Sequence, residues 1–83
     1  MSNTMFNRFA EFPRHHVSIT PSDANNLSRE MLIFCGTTGT IAVHDVNGVA
    51  VTYTIDTAGS ILPIIAKRVL STGTNVTQII GLY

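Results

Sequence analysis

Three histidines, one cysteine and five acidic residues are the groups in this 83-residue chain that could carry acid–base, nucleophilic or metal chemistry. His15 and His16 are adjacent, so on a strand they point to opposite faces and cannot jointly hold a metal. His44 is isolated. Cys35 closes the apolar run Met31-Leu-Ile-Phe-Cys35 and reads as a small buried hydrophobe. A lone cysteine forms no intrachain disulfide, and a catalytic thiol needs a partner histidine in an exposed, electropositive setting that this pattern does not supply. Glu11, Asp23, Glu30, Asp45 and Asp56 all fall in or beside turns or in the N-terminal segment. For Asp45 and Asp56 the pattern is that of turn-capping residues. Gly36-Thr-Thr-Gly-Thr40 is rich in glycine but lacks the lysine and the following helix of a phosphate-binding loop. The types and spacings therefore point away from catalysis, metals and cofactors, and toward a structural or binding protein.

The elements that would position these groups read as all-β. β-Branched residues dominate, and turn signals recur at the spacing of a small antiparallel sandwich or barrel. The pattern predicts about six strands: His15–Thr20, Met31–Cys35, Thr40–Asp45, Val49–Ile55, Ile61–Leu70 and Val76–Leu82. Thr20-Pro-Ser-Asp23 has the form of a helix start, with Thr20 as cap and Pro21 at the first position. No amphipathic run follows it, so a single helical turn inside a loop is expected.

Register decides the hairpin around Asn47-Gly48. A two-residue loop pairs Val46 with Val49 and mixes polar and apolar residues on both faces. A three-residue Val46-Asn47-Gly48 loop pairs Asp45 with Val49, Val43 with Val51 and Ile41 with Tyr53. It gathers Ile41, Val43, Val49, Val51, Tyr53 and Ile55 on one face, and it suits a type I turn followed by a left-handed glycine. The three-residue loop is the expectation.

The closing third reads as two long strands, Ile61–Leu70 and Val76–Leu82, around a Thr-Gly-Thr-Asn turn. Pro63 must sit near the strand start, at an edge or at a bulge. If the strand stays regular, Leu62, Ile64, Ala66 and Leu70 face inward while Ile65 and Val69 point the other way. An apolar second face implies a covered surface. Residues 1–14 form a separate arm, with Phe6, Phe9 and Phe12 spaced every three residues and Met5 near the same stripe. That stripe either folds back on its own domain or docks on a neighbouring subunit or larger assembly, and docking is the reading adopted. Residues 15–83 form the β domain. The candidate contacts with a neighbouring subunit or larger assembly are thus Met5, Phe6, Phe9, Phe12, Ile65, Val69 and Tyr83.

Composition points the same way. Charged residues make up 12% of the chain and hydrophobic ones 45%, with a formal net charge of +0. A chain this short buries only about 60–65% of the surface its unfolded form exposes, so its own core is modest. Too few charges to coat the surface suggests that other subunits cover part of it, as in a homo-oligomer. Five basic against five acidic residues leave no field to neutralise nucleic-acid phosphates. No stretch reaches the length of a membrane span, and the start lacks the form of a signal peptide, so synthesis in a cytoplasm is expected.

Several segments, in order, resemble the small head-spike base proteins of gene transfer agents and related alphaproteobacterial tailed phages. They are Arg8-Phe-Ala10, Thr20-Pro-Ser-Asp23, Gly36-Thr-Thr-Gly39, Ala58-Gly-Ser-Ile-Leu-Pro-Ile64, Arg68-Val-Leu-Ser-Thr-Gly-Thr74 and Ile79-Ile-Gly-Leu-Tyr83. This sequence departs from that pattern at Leu27-Ser-Arg-Glu30, where a proline-containing stretch is usual, at Cys35 and at Thr40. The resemblance implies a structural virion protein on the capsid surface. Its implied partners are the major capsid protein and a spike fibre; without a fibre it would be a decoration protein. The alternative from another class is a small carbohydrate-binding module for host attachment, which calls for exposed aromatics around a groove. The chain has no Trp and two Tyr, with Tyr53 read as core and Tyr83 as terminal.

Overall fold

The computed structural model describes residues 12–83 and is all-β. Seven strands form: β1 (His16–Ser18), β2 (Leu32–Cys35), β3 (Gly39–His44), β4 (Ala50–Ile55), β5 (Ser60–Ile61), β6 (Arg68–Val69) and β7 (Ile79–Leu82). They make two antiparallel sheets, one ordered β1-β7-β2-β5 and the other β4-β3-β6. Alternation explains the core between them. Ile33 and Cys35 of β2, Ile41 and Val43 of β3, Val69 of β6 and Ile79 of β7 are all buried, joined by Met31, Ile55, Leu62, Ala66 and Val76. Each aliphatic side chain so removed from water is worth about 1.5–3 kcal/mol.

The β3–β4 hairpin has the expected register, with Ile41 opposite Tyr53 and Val43 opposite Val51. Asp45 N–H donates to the Val49 carbonyl (3.0 Å) and Gly48 N–H to the Asp45 carbonyl (3.0 Å), with Gly48 at φ +83°. That is a type I turn closed by a left-handed glycine. The Asp45 carboxylate caps it, accepting from the Asn47 (2.8 Å) and Val49 (2.9 Å) amides. The shared face is not buried along its whole length, because Val49 and Val51 at the β4 edge are exposed.

The closing third corrects the sequence reading. Ile61–Leu70 is not one strand. Its first part follows β2, through Phe34–Ile61, the Leu62 N–H to Ile33 carbonyl bond (2.9 Å) and a Met31–Ala66 bridge. Its second part crosses to the other sheet, where β6 pairs with β3. Pro63 lies in the irregular stretch between, where no ladder donor is needed. The switch of sheets turns Val69 inward, 2% exposed, where a regular strand would have placed it outside with Ile65. Leu62 and Ala66 do face the core, and Ile65 is exposed. Nor does β7 pair with this segment, since its partners are β1 and β2. The count rises from six to seven because one long strand became two short ones.

Thr20 does not cap a helical turn. Ser22 does the local capping, its hydroxyl accepting from the Ala24 (3.2 Å) and Asn25 (3.1 Å) amides. Asp23 instead clasps a distant loop. Its carboxylate accepts from the Ser71 and Thr72 amides (3.0 Å each) and from the Thr72 hydroxyl (2.6 Å). These bonds, the Thr72 hydroxyl first, hold the Asp23 carboxyl below the ordinary aspartate range.

Candidate interaction surface

β2 is apolar at every position, so it cannot have a polar outer face. Ile33 and Cys35 go inward; Leu32 and Phe34 go outward and are half-buried. Register places their neighbours. Leu32 lies opposite Leu82 and Phe34 opposite Ile80 on β7, while Phe34 lies opposite the exposed Ile61 on β5. The outer face of the first sheet is therefore a contiguous apolar array of Leu32, Phe34, Ile61, Ile80 and Leu82. An apolar array left partly open to solvent is a candidate interaction surface.

At the Leu32–Leu82 end this face runs into an open groove of about 360 Å³. Phe12, Ile65, Leu82 and Tyr83 line it, and Arg14, His15, Arg29 and Glu30 give it a polar rim. Tyr83 is anchored by its backbone: its N–H donates to the His15 carbonyl (2.9 Å), and its carbonyl accepts from Arg14 (2.8 Å) and His15 (2.6 Å). Its ring stacks on His15 (centroids 5.2 Å, planes 24° apart), and the Arg29 guanidinium lies 4.6 Å from its centroid. A cation over an aromatic face is worth roughly 0.5–1 kcal/mol at an exposed site. The rim is thus preordered around the terminal tyrosine.

Three of the contact residues read from the sequence, Phe12, Ile65 and Tyr83, meet in this groove. Val69 does not, being part of the core. Met5, Phe6 and Phe9 lie outside the described residues. Leu32, Phe34, Ile80 and Leu82 join the candidate surface only in the structure: the unbroken apolar run Met31–Cys35 signals an apolar outward row for Leu32 and Phe34, whereas Ile80 and Leu82 are placed beside them by register. Cys35 is fully buried, and burial pushes its thiol pKa up, away from reactivity. Among the described residues, no three His, Cys, Asp or Glu side chains come together as metal ligands.

No family model and no curated protein matches the chain. Among solved structures it is similar to a chain of the capsid of a native gene transfer agent (GTA) particle, computed with C5 symmetry. The two are 42% identical over 86% of this chain and 83% of that one, with a TM-score of 0.76. The chain belongs to the same family as that GTA capsid chain. Within this family member, the groove and the apolar sheet face are the candidate surfaces for contact with other proteins.

Proposed function

We propose that this protein is a structural, non-enzymatic component of a phage-like virion: the oligomeric base of a head spike, or a decoration protein, seated on the capsid surface and presenting a fibre. Kinship with a GTA capsid chain at 42% identity carries this reading. The outer face of the first sheet and the Tyr83 groove serve as the capsid-facing surface, with Phe12, Ile65 and Tyr83 as contacts and the arm bearing Met5, Phe6 and Phe9 as the second point of attachment. An apolar centre with a polar rim is the composition of a protein interface. Partners are further copies of this chain, the major capsid protein and a spike fibre. A glycan-binding reading is less favoured by the two tyrosines: Tyr53 packs on the core, and stacking a sugar on Tyr83 would have to displace His15 or Arg29.

The test is co-sedimentation with particles prepared without this protein. The intact chain should co-sediment, whereas L82E and a chain lacking residues 1–11 should bind at least tenfold more weakly while keeping the wild-type circular dichroism spectrum. Failure of the intact chain to bind particles would overturn the reading.

A further inference from the structure

The second sheet ends in an edge of a different kind. Asp45 and Val49 form a hydrogen-bonded pair, so alternation directs the backbone groups of Val51 and Tyr53 toward β3 and those of Ala50, Thr52 and Thr54 away from it. The other side of β3 agrees. The carbonyls of His44, Ala42 and Thr40 accept from Lys67 (2.9 Å), Leu70 (2.8 Å) and Asn75 (2.9 Å), and so face away from β4. No described residue hydrogen-bonds to the outward backbone groups of Ala50, Thr52 or Thr54.

Folded proteins blunt such edges with charge, proline, bulges, short strands or a covering segment. The other edges of this fold follow that rule. β1 and β5 have three and two residues, and β6 is covered by the 22–27 segment through Ser22 N–H to Val69 carbonyl and Leu27 N–H to Lys67 carbonyl bonds (2.8 Å each). β4 has six residues, and Val49-Ala-Val-Thr-Tyr-Thr-Ile55 contains no charge and no proline. Val51 within it and Val49 just before it are 49% and 56% exposed.

The edge is also self-complementary. Placing a two-fold axis at Thr52 lays Thr52 against its own copy and Ala50 against Thr54, and all of these present outward backbone groups. Three such pairs close about six hydrogen bonds. The same register sets Val51 opposite Tyr53 and Val49 opposite Ile55, so apolar meets apolar on one face and small or hydroxyl side chains meet on the other. Shifting the register by one residue would oppose outward groups to inward ones and lose the ladder.

We infer that β4 pairs antiparallel with β4 of a second copy, joining two three-stranded sheets into one continuous six-stranded sheet about a two-fold axis at Thr52. This interface is isologous and separate from the groove and outer face assigned to the capsid. It rests on the β4 edge alone, and so stands or falls independently of virion attachment.

Cross-linking tests it directly. Opposed residues in a hydrogen-bonded antiparallel pair have Cα atoms about 5.5 Å apart, within the range a disulfide spans. Oxidised T52C should run as a reducible covalent dimer, and a mixture of A50C and T54C should cross-link to each other. V46C, in the turn outside the pairing, should remain largely monomeric on the same gel. T52K, which opposes two like charges, should raise the dimer dissociation constant at least tenfold with an unchanged monomer melting temperature. A protein that is monomeric at all concentrations, or one that oligomerises with no T52C or A50C–T54C cross-link, would overturn the proposal. The second outcome would leave homo-oligomerisation through another surface intact.

Discussion

Replacing Gly81 with alanine sets two physical effects against each other, and the structure decides which wins. Gly81 lies in the centre of β7, opposite Ile33 of β2 and Val17 of β1. Backbone entropy favours alanine over glycine within a strand by about 0.5–1 kcal/mol. Packing opposes it. A Cβ at Gly81 would land on the Met31 sulfur and lie 3.0 Å from Ile19 Cδ1. Met31 is 2% exposed and walled in by the core, so its side chain cannot swing into solvent. Overpacking of this kind costs about 1–3 kcal/mol, here toward the upper end because two neighbours must move. The net expectation for G81A is a loss of about 1.5 kcal/mol, or a Tm lower by roughly 6–12 °C for a domain of this size. Urea and thermal unfolding followed by circular dichroism measure it. M31A alone should cost about 2–5 kcal/mol through its cavity, but the new Cβ partly fills that space. The double variant should therefore fall at least about 1 kcal/mol short of the sum of the singles. A neutral or stabilising G81A, or strict additivity with M31A, would refute the packing argument.

Other expectations follow from the same contacts. G48A forces a Cβ into φ +83° with only Lys67 Nζ nearby, at 4.0 Å; the cost is conformational, about 1–2 kcal/mol, and is read as a lower urea midpoint. Asp23 and Asp45 both have pKa values below the ordinary aspartate value, set by the hydrogen bonds from Thr72 and from Val49 respectively. A carboxyl depressed on folding stabilises fully above its unfolded pKa of about 3.9 and loses that contribution as pH falls through its folded value. Acidification below about pH 4 should thus lower the urea midpoint more for the wild type than for D23N/D45N, and identical acid profiles would count against the assignment. The Cys35 thiol should react with an aromatic disulfide reagent only at the rate of unfolding, since it is fully buried and its pKa is raised; rapid labelling of the native chain would contradict its placement.

The parts of the fold legible in the sequence were those fixed by local pattern. The β3–β4 register could be read because only one loop length put the apolar residues on one face. Met31–Cys35 could be read as a strand, and Cys35 as core, from composition alone. Ile61–Leu70 could not be read correctly, because strand periodicity assumes that a segment stays in one sheet. Pro63 marked the irregularity, but nothing local says that the chain then crosses to β3 and turns Val69 inward. The Asp23 clasp was hidden for a similar reason: its partners, Ser71 and Thr72, lie almost fifty residues away, whereas local capping rules drew attention to Thr20. For the candidate surface, Phe12 was legible from the three-residue spacing of the arm's phenylalanines and Ile65 from the apolar second face of its segment, and both line the groove with Tyr83. Leu32, Phe34, Ile80 and Leu82 required cross-strand register, which single-strand patterns do not contain.

The most direct test of the structural-virion reading is quantitative mass spectrometry of purified particles from cells expressing this chain. Its peptides should co-purify with the particles through a density gradient, at a fixed ratio to the major capsid protein that is constant between preparations. Absence from the particles, or a ratio that falls with each step of purification while the capsid protein persists, would contradict it.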